Sequence, residues 1–376
     1  MHLRDIPVSR LADELAARGF DGSVRLAHRI GIALHRDGAL SWDDLAPDIG
    51  RPTRAALAEH FEIAPRLATE SVRHASDEHT RKYLFRLPAR PDAAAASEAI
   101  ESVMIRHWDD HTLCLSSQAG CAMGCTFCAT GKLALRRNLT AGEITEQVVQ
   151  AQRDAGVRVN DVVFMGMGEP LHNYDAVMTA CENLNSPSGH SIGRKRITVS
   201  TVGLVREIRR FTRERRPWRL HVSLHAAIQE TRERIVPAAR TNPLPDLLDA
   251  IREHQREQAI KWVTLQYVAL PGVNMDQEHI DALGRELQGI RYILNVIPWN
   301  ETGDAPGAAG GSAAFRAPDW DEVRAFTAKL RALHCPVKVR YSAGKREGMG
   351  CGQLAAETLA VAPSGHMLAP PGIFTA

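Results

Sequence analysis

The chain has 376 residues, 44% hydrophobic and 24% charged, enough to bury a sizeable core in about two to three domains. No apolar run approaches the ~18 residues of a membrane helix, and the charged segment from Met1 to Arg10 lacks a secretion-signal core, so a cytoplasmic protein is expected. With 46 basic and 44 acidic residues, net charge neither demands nor excludes nucleic acid, while seven cysteines in such a chain argue for metal binding or catalysis over a disulfide framework.

Residues 9–18, 24–37 and 54–61 carry helical patterns with short polar breaks between them. Residues 82–87 read as a strand, and 88–97, rich in Pro and Ala, as a linker. The boundary drawn there gives a helical accessory domain with its linker over residues 1–98. From Thr112 onward, strand-length apolar runs (112–117, 161–167, 196–201, 219–224, 262–269, 292–298, 336–341) alternate with helical patterns (141–155, 174–185, 205–215, 244–258, 277–288, 319–334). That alternation predicts right-handed βαβ units and a parallel sheet. Six or seven such units predict an α/β fold, a partial or complete (β/α) barrel spanning residues 99–355. No G-x-G-x-x-G follows the first of these strands, which disfavours a doubly wound open sheet. Residues 303–317 read as a mobile Gly/Ala-rich loop, and 356–376 as a poorly ordered tail.

The strongest chemical signal is Cys121-Ala-Met-Gly-Cys125-Thr-Phe-Cys128, directly after the first strand of the βα body. Three thiolates on a short loop can hold three corners of a cubic iron–sulfur cluster and leave one iron open. A structural zinc wants four closed ligands, and no second Cys pair of that kind follows. A zinc knuckle completed by Cys114 or a histidine is the alternative. Other unusual segments also fall where strands stop: Gly168 and Glu169 after the second, Ser200 at the end of the third, Ser223-Leu224-His225 after the fourth, Asn300 after the sixth. In a (β/α) barrel such residues converge on one pocket. Glu169 is placed to accept from an ammonium, with glycines beside it that let a ligand approach the backbone. His107-Trp-Asp-Asp-His111 reads as a surface turn before a metal site.

The spacing C-x-x-x-C-x-x-C, with an aromatic before the last cysteine, resembles the radical S-adenosylmethionine (SAM) superfamily. Thr112-Leu-Cys-Leu-Ser-Ser-Gln-Ala-Gly-Cys121, Gly166-Met-Gly-Glu-Pro170, Ser223-Leu-His-Ala226, Ile297-Pro-Trp-Asn300 and Cys351-Gly-Gln-Leu354 together resemble the RlmN/Cfr family of RNA adenine methyltransferases. The resemblance covers about residues 100–355. It implies a [4Fe-4S] cluster on Cys121, Cys125 and Cys128, and SAM held by Gly168, Glu169, Ser200, Ser223, Leu224, His225 and Asn300. It further implies Cys351 as methyl carrier, Cys114 as its resolving partner through a disulfide, and Glu101 as acid/base. The carrier exists because adenine C2 and C8 are electron-poor carbons that cannot displace a methyl group from a sulfonium. The two catalytic thiols should sit where thiolates are favoured, in a reducing compartment. Cys181 and Cys335 are left as packing residues.

The implied partners are ribosomal or transfer RNA and a one-electron reductant such as flavodoxin or ferredoxin, with no membrane and a monomeric enzyme. Arg206, Arg209, Arg210, Arg213, Arg215, Arg216 and Arg219, with Arg194, Lys195 and Arg196 upstream, offer one candidate basic face for RNA. The run Arg340-Tyr-Ser-Ala-Gly-Lys-Arg-Glu-Gly-Met-Gly-Cys351 departs from the family's usual R-G-x-D-I-x-A-A-C. A competing reading from another class is a zinc-stabilised, non-catalytic RNA-binding protein. A third is a family member acting on another RNA.

Overall fold

A computed structural model of the chain describes residues 1–20, 22–45, 49–88, 98–302 and 315–355. The chain opens with three short helices, α1 (Leu11–Ala16), α2 (Ser23–Gly31) and α3 (Arg51–His60). Each is too short to be stable alone. They survive by sharing a small core of Leu3, Leu11, Leu15, Ile30, Leu34, Leu57, Phe61 and Ile63. α2 continues without a break into a π-helical turn, Ile32–Arg36.

Four strands then pair antiparallel in chain order: β1 (Ala68–His74), β2 (Thr80–Arg86), β3 (Ala99–His107) and β4 (Asp110–Cys114). β1 and β2 precede residue 98 and belong to the main sheet. β5 (Gln118–Ala119) and β6 (Arg137–Asn138) form a separate two-stranded clip. The βα body follows: α4 (Ala141–Ala155), β7 (Asp161–Phe164), α5 (Tyr174–Asn185), β8 (Ile197–Thr201), α6 (Val205–Arg213), β9 (Arg219–Ser223), α7 (Gln229–Ile235), α8 (Leu244–Glu257), β10 (Val263–Ala269), α9 (Gln277–Glu286), β11 (Tyr292–Pro298), α10 (Trp320–Arg331) and β12 (Val337–Val339). Local signals set the helix ends. Thr140 and Glu143 form a reciprocal capping box at the start of α4, and Gly156, at φ 66°, stops it. Asp319 and Glu322 cap α10 in the same way.

The main sheet has ten strands in the order β1-β2-β3-β4-β7-β8-β9-β10-β11-β12. From β4 to β12 every neighbouring pair is parallel. Among the described residues no pairing joins β12 back to the other end, so the barrel is partial. The sheet nevertheless curls until Val103 of β3 and Arg340, just past β12, line one cavity. The predicted parallel strands and their helices are present. β1, β3 and α7 are not among the predicted elements. β1 is largely exposed and shows no clear alternation, and β3 buries both faces along most of its length. α7 has seven residues, and among those it buries are Thr231 and Arg232. The loop read at 303–317 falls mostly outside the described residues, as do the tail from 356 and the linker from 89 to 97.

Candidate active site

A cavity of about 920 Å³ opens at the C-terminal ends of β7 to β11. Cys121, Cys125, Cys128, Gly168, Glu169, Ser200, Ser223, His225, Asn300 and Cys351 all line it. Residues spread over some 230 positions of chain thus meet at one face, because parallel strands end on the same side.

The three-cysteine loop is braced from several directions. Trp299 Nε1 donates to the Phe127 carbonyl at 2.8 Å, and the Thr126 amide donates to the Ile235 carbonyl at 3.1 Å. The Phe127 ring meets His225 edge-on at 4.8 Å. Gly131 must be glycine, since a Cβ there would lie 2.4 Å from the Cys125 carbonyl oxygen. Gly168, at φ 98°, is needed for a different reason from the expected ligand approach. Its missing side chain leaves room for Gln118, whose Cβ would lie 2.6 Å from an added Cβ. Gln118 Oε1 then accepts from the Glu169 amide at 2.8 Å.

Glu169 is buried, and burial pushes its carboxyl up to about 7. The Val202 and Leu171 amides donate to its two oxygens at 2.9 and 3.0 Å and oppose that shift. His225, also buried, sits at φ 61°. Its Nδ1 faces the Val268 amide at 3.0 Å and must therefore accept, which leaves the proton on Nε2. Burial holds the imidazole neutral, near 3. Leu224 departs from the expected set, in that its side chain points into the core and not into the cavity. Its contribution is backbone: the carbonyl accepts from Arg232 Nε at 3.2 Å.

Arg232 left no mark in the sequence reading. It is fully buried beneath the cysteine loop, and its other guanidinium contacts are the Val202 and Asn242 carbonyls. Burial lowers it to about 10, and the Cys125 sulfur opposes that shift.

A second cavity of about 600 Å³ adjoins the first and is lined by Cys114, Met165, Arg340, Tyr341, Met349, Gly350 and Cys351, among others. Cys351 is common to both cavities. The segment carrying it is strapped across the site. Asn300 Nδ2 donates to the Cys351 carbonyl at 3.0 Å and to Ser342 Oγ at 2.9 Å, and the Ala129 amide donates to the Gly352 carbonyl at 2.7 Å. Glu101 lines neither cavity. It lies buried on β3 in an ion pair with Lys82 at 3.0 Å and accepts from the Ala355 amide at 2.8 Å. The expected thiolate-favouring setting is absent at Cys114. Burial pushes that thiol up to about 12, with the neighbouring Cys351 adding to the shift. All seven cysteines are free thiols, so the expected Cys114–Cys351 disulfide is not formed in this structure.

The donor set fits a cluster better than a single ion. Among the described residues, no three His, Cys, Asp or Glu side chains close on one metal site. The three loop thiols line one cavity together. Burial raises all three, Cys121 to about 12; the other loop thiols add to the shift at Cys121 and Cys125, and Cys351 adds to it at Cys128. Only a strongly positive group could hold them together as thiolates. Cys181 and Cys335 pack in or against the main core.

The Arg-rich stretch is less basic than its composition suggests. Arg210 pairs with Asp175 at 2.5 Å and Glu214 at 2.8 Å, and Arg216 with Glu182 at 2.8 Å. Arg209 pairs with Glu253, and Arg196 with Asp161. Among the described residues, no helix is long and apolar enough to cross a membrane.

A partial (β/α) barrel with three cysteine thiols on the loop after its first parallel strand defines a radical SAM enzyme. In agreement, the Radical SAM superfamily profile matches residues 115–283. The chain is 39% identical over 362 residues to a probable RNA methyltransferase of Myxococcus xanthus, covering 95% of this chain and 94% of that protein. It is 40% identical over 322 residues to the dual-specificity RNA methyltransferase RlmN of Syntrophobacter fumaroxidans, covering 85% and 88%. A crystal structure of a radical SAM methyltransferase from Sphaerobacter thermophilus superimposes with a TM-score of 0.84 at 37% identity, covering 95% of this chain and all of that one. The chain belongs to the RlmN family of radical SAM RNA methyltransferases, enzymes that use a [4Fe-4S] cluster and SAM.

Proposed function

We propose that this chain methylates a ring carbon of adenine, C2 in preference to C8, in ribosomal RNA, transfer RNA or both, with Cys351 as the methyl carrier. The observation that carries this reading is the position of Cys351, on the wall of both cavities. A carrier must face the methyl donor in one and the acceptor base in the other.

When bound, the cluster and SAM supply a methyl group for displacement and a one-electron route to hydrogen abstraction. The rest falls to the chain. Cys121, Cys125 and Cys128 hold the cluster. Glu169, Ser200, Ser223, His225 and Asn300, with the backbone of Gly168 and Leu224, hold SAM. Cys351 Sγ accepts the methyl group as a thiolate, and its carbon then bonds to the adenine ring, joining protein to RNA. Glu101 takes the ring proton once movement of the strap frees it from Ala355. Cys114, as a thiolate, attacks Cys351 Sγ, breaking the sulfur–carbon bond and forming a disulfide. That step needs the two Cα atoms within about 7 Å. The methylene left on the base takes up a proton, returned by Glu101, to become the methyl group, and an external dithiol reduces the disulfide before the next turnover. A flavodoxin- or ferredoxin-like protein supplies the electron, and the enzyme works as a cytoplasmic monomer. The helices of the N-terminal region serve as an accessory domain to the barrel.

The test is direct. Cluster-loaded protein, SAM carrying a labelled methyl group, and RNA from a strain lacking the enzyme are incubated with a chemical reductant. Nucleosides from the digested RNA should contain labelled C2-methyladenosine. Unlabelled adenosine alone, from protein with a full cluster, would reject the assignment.

A further inference from the structure

Large apolar side chains are exposed at few places among the described residues, and two of them, Tyr341 and Trp320, meet at one cavity mouth. Tyr341 lines the second cavity and is 43% exposed. Trp320, the first residue of α10, is 64% exposed and lies against Tyr341 with ring centroids 4.6 Å apart. Rings this exposed add little to the core.

The chain around Tyr341 is also cationic. Lys338, Lys345 and Arg346 are exposed, and Arg340 stands on the cavity wall. The one acid of the stretch from 338 to 347, Glu347, accepts from Ser76 Oγ at 2.7 Å. This differs from α6, where several arginines are matched by acids. Flat open rings interleaved with cations fit single-stranded nucleic acid, whose bases offer unpaired faces and whose backbone offers phosphates. The mouth leads to Cys114 and Cys351. A base reaching them must leave its stack, and its neighbours are then left with open faces.

We propose that Trp320 and Tyr341 form a stacking platform for the unpaired bases flanking the modified adenine, with Lys338, Lys345 and Arg346 meeting the adjoining phosphates. The proposal rests on the chain acting on RNA and adds which residues grip it.

The probe is a fluorescein-labelled single-stranded RNA of about ten nucleotides with one central adenine, titrated into cluster-loaded protein. Trp320→Ala should weaken binding between about fivefold and a hundredfold, the span of one base–aromatic stack. Trp320→Phe should recover most of the affinity. Trp320→Ala should leave the salt dependence unchanged, whereas Lys345→Ala should lower the slope of log Kd against log salt by about 0.7. Replacing the flanking bases by abasic sugars should erase the Trp320→Ala effect, which a folding defect would not do. If Trp320→Ala and Tyr341→Ala both bind within twofold of wild type, the platform is wrong while the RNA reading stands. If wild-type protein does not bind the RNA at all, both fall.

Discussion

Glu169 shows how burial and hydrogen bonding compete at one residue. Desolvation raises its carboxyl from an ordinary 4.5 to about 7, although two amides donate to it. In that window the folded chain holds a proton that the unfolded chain releases. The SAM-free protein therefore loses this contribution to stability as pH rises from about 4.5 to about 7. On the proposed reading Glu169 accepts from the SAM amino group as the carboxylate, so where burial keeps it protonated each binding event must expel that proton. SAM affinity should fall toward acid pH, by at most about tenfold per pH unit, and level off toward alkaline pH. Calorimetry of cluster-loaded protein reads both the affinity and the released proton, and a flat profile would remove Glu169 from the site. Glu169, Ser200, Ser223 and Asn300 were legible because polar residues at apolar strand ends stand out. Arg232 was not, because a buried cation held by carbonyls has no sequence partner to betray it.

Between elements, the decisive contact is the strap. β2 supplies Lys82, β3 supplies Glu101, and the two lie buried together under the segment that carries Cys351. Lys82 also reaches the Gly348 carbonyl at 3.4 Å, so the pair touches the strap on both sides of the cysteine. Lys82→Met removes the buried Lys82–Glu101 ion pair, a change worth about 3–5 kcal/mol. Thermal unfolding should show that loss, and hydrogen exchange should rise across residues 348–355. Unchanged exchange there would mean that the strap is held by other contacts. The sequence revealed β2 as a strand but not this role, since a strand lysine is ordinarily exposed. The Arg-rich stretch failed in the opposite direction. Its composition was visible, whereas Glu182, Glu214 and Glu253 become its partners only once α5, α6 and α8 pack.

Across the whole molecule, alternation of strands and helices was enough to order the parallel sheet, because each strand pairs with the next in the chain. Closure was left open in the sequence because it depends on how far the sheet curls. The helical N-terminal region is attached through exposed and buried polar contacts, and three of the latter converge on one side chain. Asn183 of α5 accepts from the Val8 amide at 2.8 Å and donates to the Arg4 and Ile6 carbonyls at 3.2 Å each. Asn183→Ala strands those groups and should cost about 1–3 kcal/mol, read as a lower denaturant midpoint with the cluster intact. No change in the midpoint would show that apolar packing alone holds the region in place.

The proposed chemistry puts one sulfur, Cys351 Sγ, to work in two cavities. Cys114→Ala removes the proposed resolving thiol and, on that mechanism, leaves methyl loading and base addition possible. With SAM, reductant and RNA, this variant should accumulate a covalent protein–RNA species, and peptide mass spectrometry should place the cross-link on Cys351. Normal turnover by Cys114→Ala, or a cross-link on any other residue, would contradict it.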